Sequence, residues 1–164
     1  MAQLVEDDLP FTDVAVESVE IQNYESGVFF FLATLLFSIP VVCFVGALFT
    51  DISYVNDADI QWSNFSTWLL AAGIFFLGIA IAVYAVAYLL TRDRPRTGLS
   101  WIFGLVLIAA FITGLFDNFI HSHDGWTAVW PTGITLTIVT VILLVVAVAI
   151  KVASLSNRYM VTES

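Results

Sequence analysis

Four long apolar runs, at about 28–50, 67–90, 100–120 and 129–152, constrain this chain more than any other feature. A hydrocarbon layer ~30 Å thick is crossed by about 20 helical residues at ~1.5 Å rise each. All four runs reach that length. Their only charged residues are Asp117 and Lys151, each within a turn of a run's end. Lipid offers no water to unpaired backbone groups, so only helices and closed barrels cross it. Runs that are continuous rather than alternating select helices.

The expected fold class is therefore all-α: an integral membrane four-helix bundle, up-down-up-down, with short connections between spans two and three and between three and four. Composition agrees, since 60% of residues are hydrophobic against roughly 45–50% in a soluble domain. The reading divides the chain into an acidic N-terminal tail over 1–27, a transmembrane domain over 28–153 and a short C-terminal tail over 154–164.

The five basic residues fix the orientation. Arg92, Arg94 and Arg96 fall between spans two and three, and Lys151 and Arg158 lie at or beyond the end of span four. All five share one side. The excess of Lys and Arg in cytoplasmic segments puts both termini in the cytoplasm, and acidic residues such as Glu6, Asp7 and Asp8 count little in that balance. The first 26 residues hold no Lys or Arg and the first run is too long for a secretory signal, so Met1 is expected to begin the mature chain. Phe11, Val14, Ser18 and Ile21 share a weak helical face, consistent with at most a short interfacial helix or partner-binding arm.

On the other side lie Asp51, Asp57, Asp59 and Asp124, with Asp117 one turn inside and Trp62, Trp68, Trp126 and Trp130 at the boundary. Such an acidic, aromatic face suits docking of a partner: charge steers, and aromatic side chains anchor. The docking residues expected are Asp51, Asp57, Asp59, Trp62, Asp117, His121 and Trp126. The net charge of −9 disfavours nucleic acid and anionic headgroups as partners. The lipid bilayer and the protein subunits of a membrane complex remain.

Both histidines sit in the turn His121-Ser122-His123-Asp124, for which four readings are open. It ends span three, with Asp117 and His121 four apart and able to pair on one helical face. It is a docking surface. It binds a metal through His121, His123 and Asp124, which requires the helix to have ended by His121, because residues two apart project together only from extended backbone. Or it holds a haem shared with another subunit, since both histidines come from one end and a single chain cannot supply opposed axial ligands.

Cys43 is the single cysteine, which excludes an intrachain disulfide and reads as a small packing residue. Gly78 with Ala82 and Ala110 with Gly114 offer close helix approach. Pro40 is expected to kink span one and Pro131 to open span four. A proton relay or transporter places ionisable residues at mid-membrane depth, and these spans offer there mainly Tyr84, Thr113, Thr135, Thr137 and Thr140, hydroxyls that commonly bond to their own helix.

Three ordered stretches carry a family resemblance: Ile39-Pro40-Val41-Val42-Cys43-Phe44-Val45-Gly46 continuing to Tyr54, Trp62-Ser63-Asn64-Phe65-Ser66-Thr67-Trp68 continuing to Gly73, and Phe119-Ile120-His121-Ser122-His123-Asp124-Gly125-Trp126 continuing to Gly133. Over about 36–152 the chain resembles the four-span predicted membrane proteins of domain-of-unknown-function family 2231. Where members of that family often carry a His-Pro pair in span one and a histidine early in span three, this chain reads Ala33-Thr34 and Ser100-Trp101-Ile102-Phe103. The resemblance implies fold and a bacterial inner-membrane location, with no particular activity.

The expected function is that of a multi-pass inner-membrane protein, a non-catalytic accessory or scaffold subunit of a larger complex, with no cofactor. The alternative is a redox-associated membrane protein binding a metal or shared haem at the His121–Asp124 turn.

Overall fold

A computed structural model describes the backbone of residues 11–90, 98–123 and 126–162 and the side chains of 34–89, 101–123 and 127–154. Every regular element among them is helical: α1 (Phe11–Asp57), α2 (Ile60–Leu90), α3 (Gly98–His121), the single turn α4 (Trp126–Val129) and α5 (Thr132–Thr162). Four candidate spans lie within this set, at Thr34–Asp57, Ile60–Leu89, Trp101–His121 and Thr127–Ser154. The chain divides into two compact units, residues 1–35 and 36–164. The helix over the first unit begins at Phe11, so the short interfacial helix expected there is replaced by the start of a 47-residue helix.

The largest revision to the boundaries is at the first connection. Sequence reading ended span one at Thr50 and made 51–66 an outer loop, whereas α1 continues to Asp57 and α2 begins at Ile60. Only Ala58 and Asp59 intervene. Ala58 has φ 56°, and its N–H donates to the Tyr54 carbonyl at 2.8 Å, which is the left-handed residue that commonly closes a helix. Asp59 opens the next one: its Oδ1 accepts from the Gln61 N–H at 2.9 Å. Asp57 accepts from the Asp59 N–H at 3.1 Å and from the Trp62 indole N–H at 3.0 Å. Asp59→Ala is expected to destabilise by about 0.5–2 kcal/mol, the worth of an N-cap, read as a lowered thermal midpoint in detergent.

In the second unit Phe44, Leu70, Leu77, Leu107, Ala110, Leu144 and Ala147 form the apolar core. Small residues set the spacing. Gly73 faces Phe44 and Cys43, and Gly114 faces the tip of Phe44, with Thr140 just behind. Of the four small residues singled out from spacing, Ala110 and Gly114 are buried and Gly78 meets Phe111, while Ala82 is exposed. Contacts pair 47 with 66, 46 with 69 and 44 with 73, so α2 folds back along α1 in a regular register. Pro40 lies buried inside a helix that continues through it. Pro131 precedes α5, and its carbonyl accepts the first helical bond, from Thr135 N–H at 3.3 Å.

Phe49, Trp68, Phe75, Phe116 and Phe119 are each 60–71% exposed. Large apolar side chains exposed to this extent are expected against lipid. The same helices bury Asp51, Ser66, Asp117, His121 and Thr137.

Candidate functional site

Among the described residues, five of the seven buried polar or charged side chains meet at one end of the second unit: Asp51, Ser66, Asp117, His121 and Thr137. They come from four helices. Asp51 lies near the C-terminal end of α1, Ser66 near the start of α2, Asp117 and His121 in the last turns of α3, and Thr137 in the second turn of α5. Asp51, Ser66, Asp117 and Thr137 are wholly inaccessible and His121 is 3% exposed.

His121 is the hub. Its Nε2 lies 3.0 Å from Asp51 Oδ1. Its Nδ1 lies 3.0 Å from both the backbone carbonyl and the Oδ1 of Asp117, one turn earlier on the same helix. The pairing expected from the four-residue spacing is present. Of the two Asp117 oxygens near Nδ1, the carbonyl has hydrogen-bond geometry; Oδ1 is close but misaligned and is left without a hydrogen-bonded partner.

Thr137 bridges the carboxylates, with its Oγ1 2.8 Å from Asp51 Oδ2, 2.8 Å from Asp117 Oδ2 and 3.2 Å from the Gly133 carbonyl. Ser66 donates a short hydrogen bond to Asp51 Oδ1, and Thr50 Oγ1 lies 2.6 Å from Ser66 Oγ. A turn deeper, Thr140 Oγ1 meets Thr113 Oγ1 at 3.1 Å, and both hydroxyls also bond to carbonyls of their own helices. Beyond that pair the buried core cluster among the described residues is apolar, with Phe44 packed against Gly114. The polar column is therefore blind at its inner end.

The ring of His121 reaches the cluster because Gly133 lacks a side chain. A Cβ there would lie 2.7 Å from His121 Cε1 and would overlap the Ala128 carbonyl oxygen. Ala128 and Val129, both buried, sit in the α4 turn that follows the His121 corner. Thr67 Oγ1 adds a 3.4 Å contact to the His121 carbonyl.

Residues 34–163 match the family model described as predicted membrane protein (DUF2231). The chain belongs to that family. Four membrane-competent helices fit the four-span character expected of a DUF2231 protein. No curated protein and no solved structure matches the chain. The buried centre of this DUF2231 protein takes one or more groups from each of the three stretches that carried the resemblance: Asp51, Ser66 and His121.

The site residues expected from sequence divide into three sets. Asp51, Asp117 and His121, expected on a docking face, have inward side chains and contribute no surface; ending the spans at Thr50 and Ile120 put Asp51 and His121 outside helices that include them. Asp57 and Asp59 are exposed and occupied in joining α1 to α2, with Trp62 bonded to Asp57. The metal set His121, His123 and Asp124 does not come together as far as it is described. His121 is turned inward, whereas His123 is exposed with Nδ1 3.0 Å from the Phe119 carbonyl. Asp124 and the side chain of Trp126 lie outside the described residues. No group of three His, Cys, Asp or Glu among the described residues is arranged to hold a metal ion, and the donor atoms of the buried centre are occupied largely with one another.

Ser66, Thr137, Thr50 and Gly133 were missed as site residues. In the sequence Thr137 reads only as a polar group within span four. The available signal was the shared end: all lie within about two turns of the acidic side in a four-span arrangement.

Proposed function

We propose that this chain is a non-enzymatic, multi-pass protein of the bacterial inner membrane, an accessory subunit of a larger complex, whose working part is a proton-binding centre formed by Asp51, His121 and Asp117. The observation that carries the reading is the complete burial of two carboxyl groups and an imidazole in direct contact inside membrane-competent helices. Ionisable groups are expensive in lipid, and where they occur inside a bundle they mark ion or proton pathways. Paired titratable groups with unlike surroundings are likewise the pattern of sites that exchange protons.

Up-down-up-down topology with both termini cytoplasmic is supported by the sequence positions of the basic residues, Arg92, Arg94 and Arg96 between spans two and three and Lys151 and Arg158 at or beyond the end of span four. The centre then faces the periplasmic side. Because its polar column stops at Thr113 and Thr140, exchange is with that side alone, as in a proton store rather than a pore. The exposed Asp57, Asp59 and Trp68 form the rim through which a partner subunit is recognised.

Infrared difference spectroscopy of the full chain in lipid nanodiscs tests the proton reading. Stepping the medium from acid to alkaline pH is expected to change the carboxyl bands of the centre, and with them the bands of the imidazole that contacts them, and His121→Gln to alter that change. A flat difference spectrum for the wild-type protein overturns the reading and leaves the centre a static clasp. Purification in mild detergent tests the subunit role, which fails if the protein emerges as a lone monomer.

A further inference from the structure

We infer that in this arrangement Asp117 is a carboxylic acid, with the hydrogen on its Oδ2 directed at Thr137, and that this hydrogen is the one the centre exchanges. The inference rests on the proton-binding reading above and assigns it to an atom. It follows from counting hydrogens. A threonine hydroxyl has one hydrogen to donate, yet Thr137 Oγ1 lies 2.8 Å from a carboxyl oxygen of Asp51 and 2.8 Å from one of Asp117. If both groups were carboxylates, one contact would set two lone pairs against each other in a buried site, where an unpaired polar atom costs about 1–3 kcal/mol and a charged one more. A hydrogen on one of the carboxyl groups turns that contact into a bond.

The surroundings decide which. Asp51 receives Ser66 and the His121 Nε2 side on one oxygen and Thr137 on the other, the environment of a carboxylate. Asp117 Oδ1 is fully buried and lies 3.0 Å from His121 Nδ1, but that nitrogen bonds the Asp117 backbone carbonyl and Oδ1 has no hydrogen-bonded donor. The carbonyl oxygen of a neutral acid tolerates that position far better than a carboxylate does. The chain of donation is then Asp117 Oδ2 to Thr137 Oγ1 to Asp51 Oδ2. His121 donates from Nε2 to Asp51 and from Nδ1 to the Asp117 carbonyl, so both ring nitrogens carry hydrogen. One imidazolium, one carboxylate and one neutral acid sum to zero charge, the arrangement least costly in a low-dielectric interior.

The groups contributed to this centre by the packed helices are Asp51 from α1, the Ser66 hydroxyl from α2, His121 from α3 itself and the Thr137 hydroxyl from α5. Tyr54, also buried, stands one turn along α1 from Asp51. When Asp117 loses its hydrogen to the medium, Thr137 can bond to only one of its two carboxylates. One contact then opens, either between α1 and α5 or between α3 and α5. Release of the proton is thereby coupled to loosening of the outer end of the bundle.

Infrared absorption of the full chain in nanodiscs at neutral pH reads the acid directly. A protonated-carboxyl C=O band is expected, shifted by ¹³C-aspartate labelling and lost in Asp117→Asn. Absence of that band from the wild-type protein overturns the assignment even if imidazole bands still respond to pH, so its failure is distinct from failure of the proton-binding reading. A second readout uses stability. An Asn amide can donate to Thr137 as the acid does, so Asp117→Asn is expected to keep a midpoint close to wild type while Asp51→Asn lowers it clearly. The opposite order would place the hydrogen on Asp51 and overturn the inference.

Discussion

Replacing His121 with alanine is expected to lower the stability of the solubilised protein by about 3–5 kcal/mol, the range for removing one partner of a buried ionic group. The substitution strips Asp51 of a donor at 3.0 Å and frees the Asp117 carbonyl, in a space with no access to water. It also removes the charge that balances the remaining carboxylate. His123→Ala is the matched control, because that ring is exposed and bonded only to its own helix's Phe119 carbonyl; its midpoint should not move. Equilibrium unfolding in mixed micelles compares the two, and equal effects would count against His121 as the hub.

Gly133→Ala is expected to be clearly damaging although it adds a single methyl group. The new Cβ would overlap the Ala128 carbonyl oxygen, a backbone atom that cannot rotate away, and would lie 2.7 Å from the imidazole carbon Cε1. Overpacking of this kind costs typically about 1–3 kcal/mol. The ring's displacement should also weaken its contact with Asp51, so the variant is expected to lose part of the pH-dependent infrared signal as well as stability. Gly46→Ala is the contrasting case. There the nearest atom is a Leu69 methyl at 3.3 Å, the end of a side chain that can shift, and a change well under that of Gly133→Ala is expected.

The membrane class and the four spans were legible because lipid demands a long uncharged run for each crossing, and 67–90 in sequence became Ile60–Leu90 in structure. The i, i+4 pairing of Asp117 with His121 was legible for an equally local reason. The remainder of the centre was not. Asp51 is 70 residues from His121 and 86 from Thr137, and local periodicity says nothing about which faces of separate helices meet. Asp51 was also hidden by a boundary rule: a charged residue normally marks the end of a span, and here it is paired inside one. Of the turn after span three, His121 alone joins the buried cluster, because the helix includes it and its neighbour two positions on is exposed and points elsewhere.

The two-residue joint at Ala58 and Asp59 has a consequence for how the protein enters the membrane. An Asp near the centre of a lone inserting helix carries a penalty of about 2.5–3.5 kcal/mol on the insertion scale, less near its end. With so short a joint, the hairpin of α1 and α2 is by itself enough to bring the Ser66 hydroxyl to Asp51. His121 and Thr137 exist only after spans three and four have been made. Within that hairpin Asp51 already has a hydroxyl escort, and the later spans complete its shell. Lengthening the joint by several glycines would separate escort from charge, and the first span would then be the one to slip back out of the bilayer.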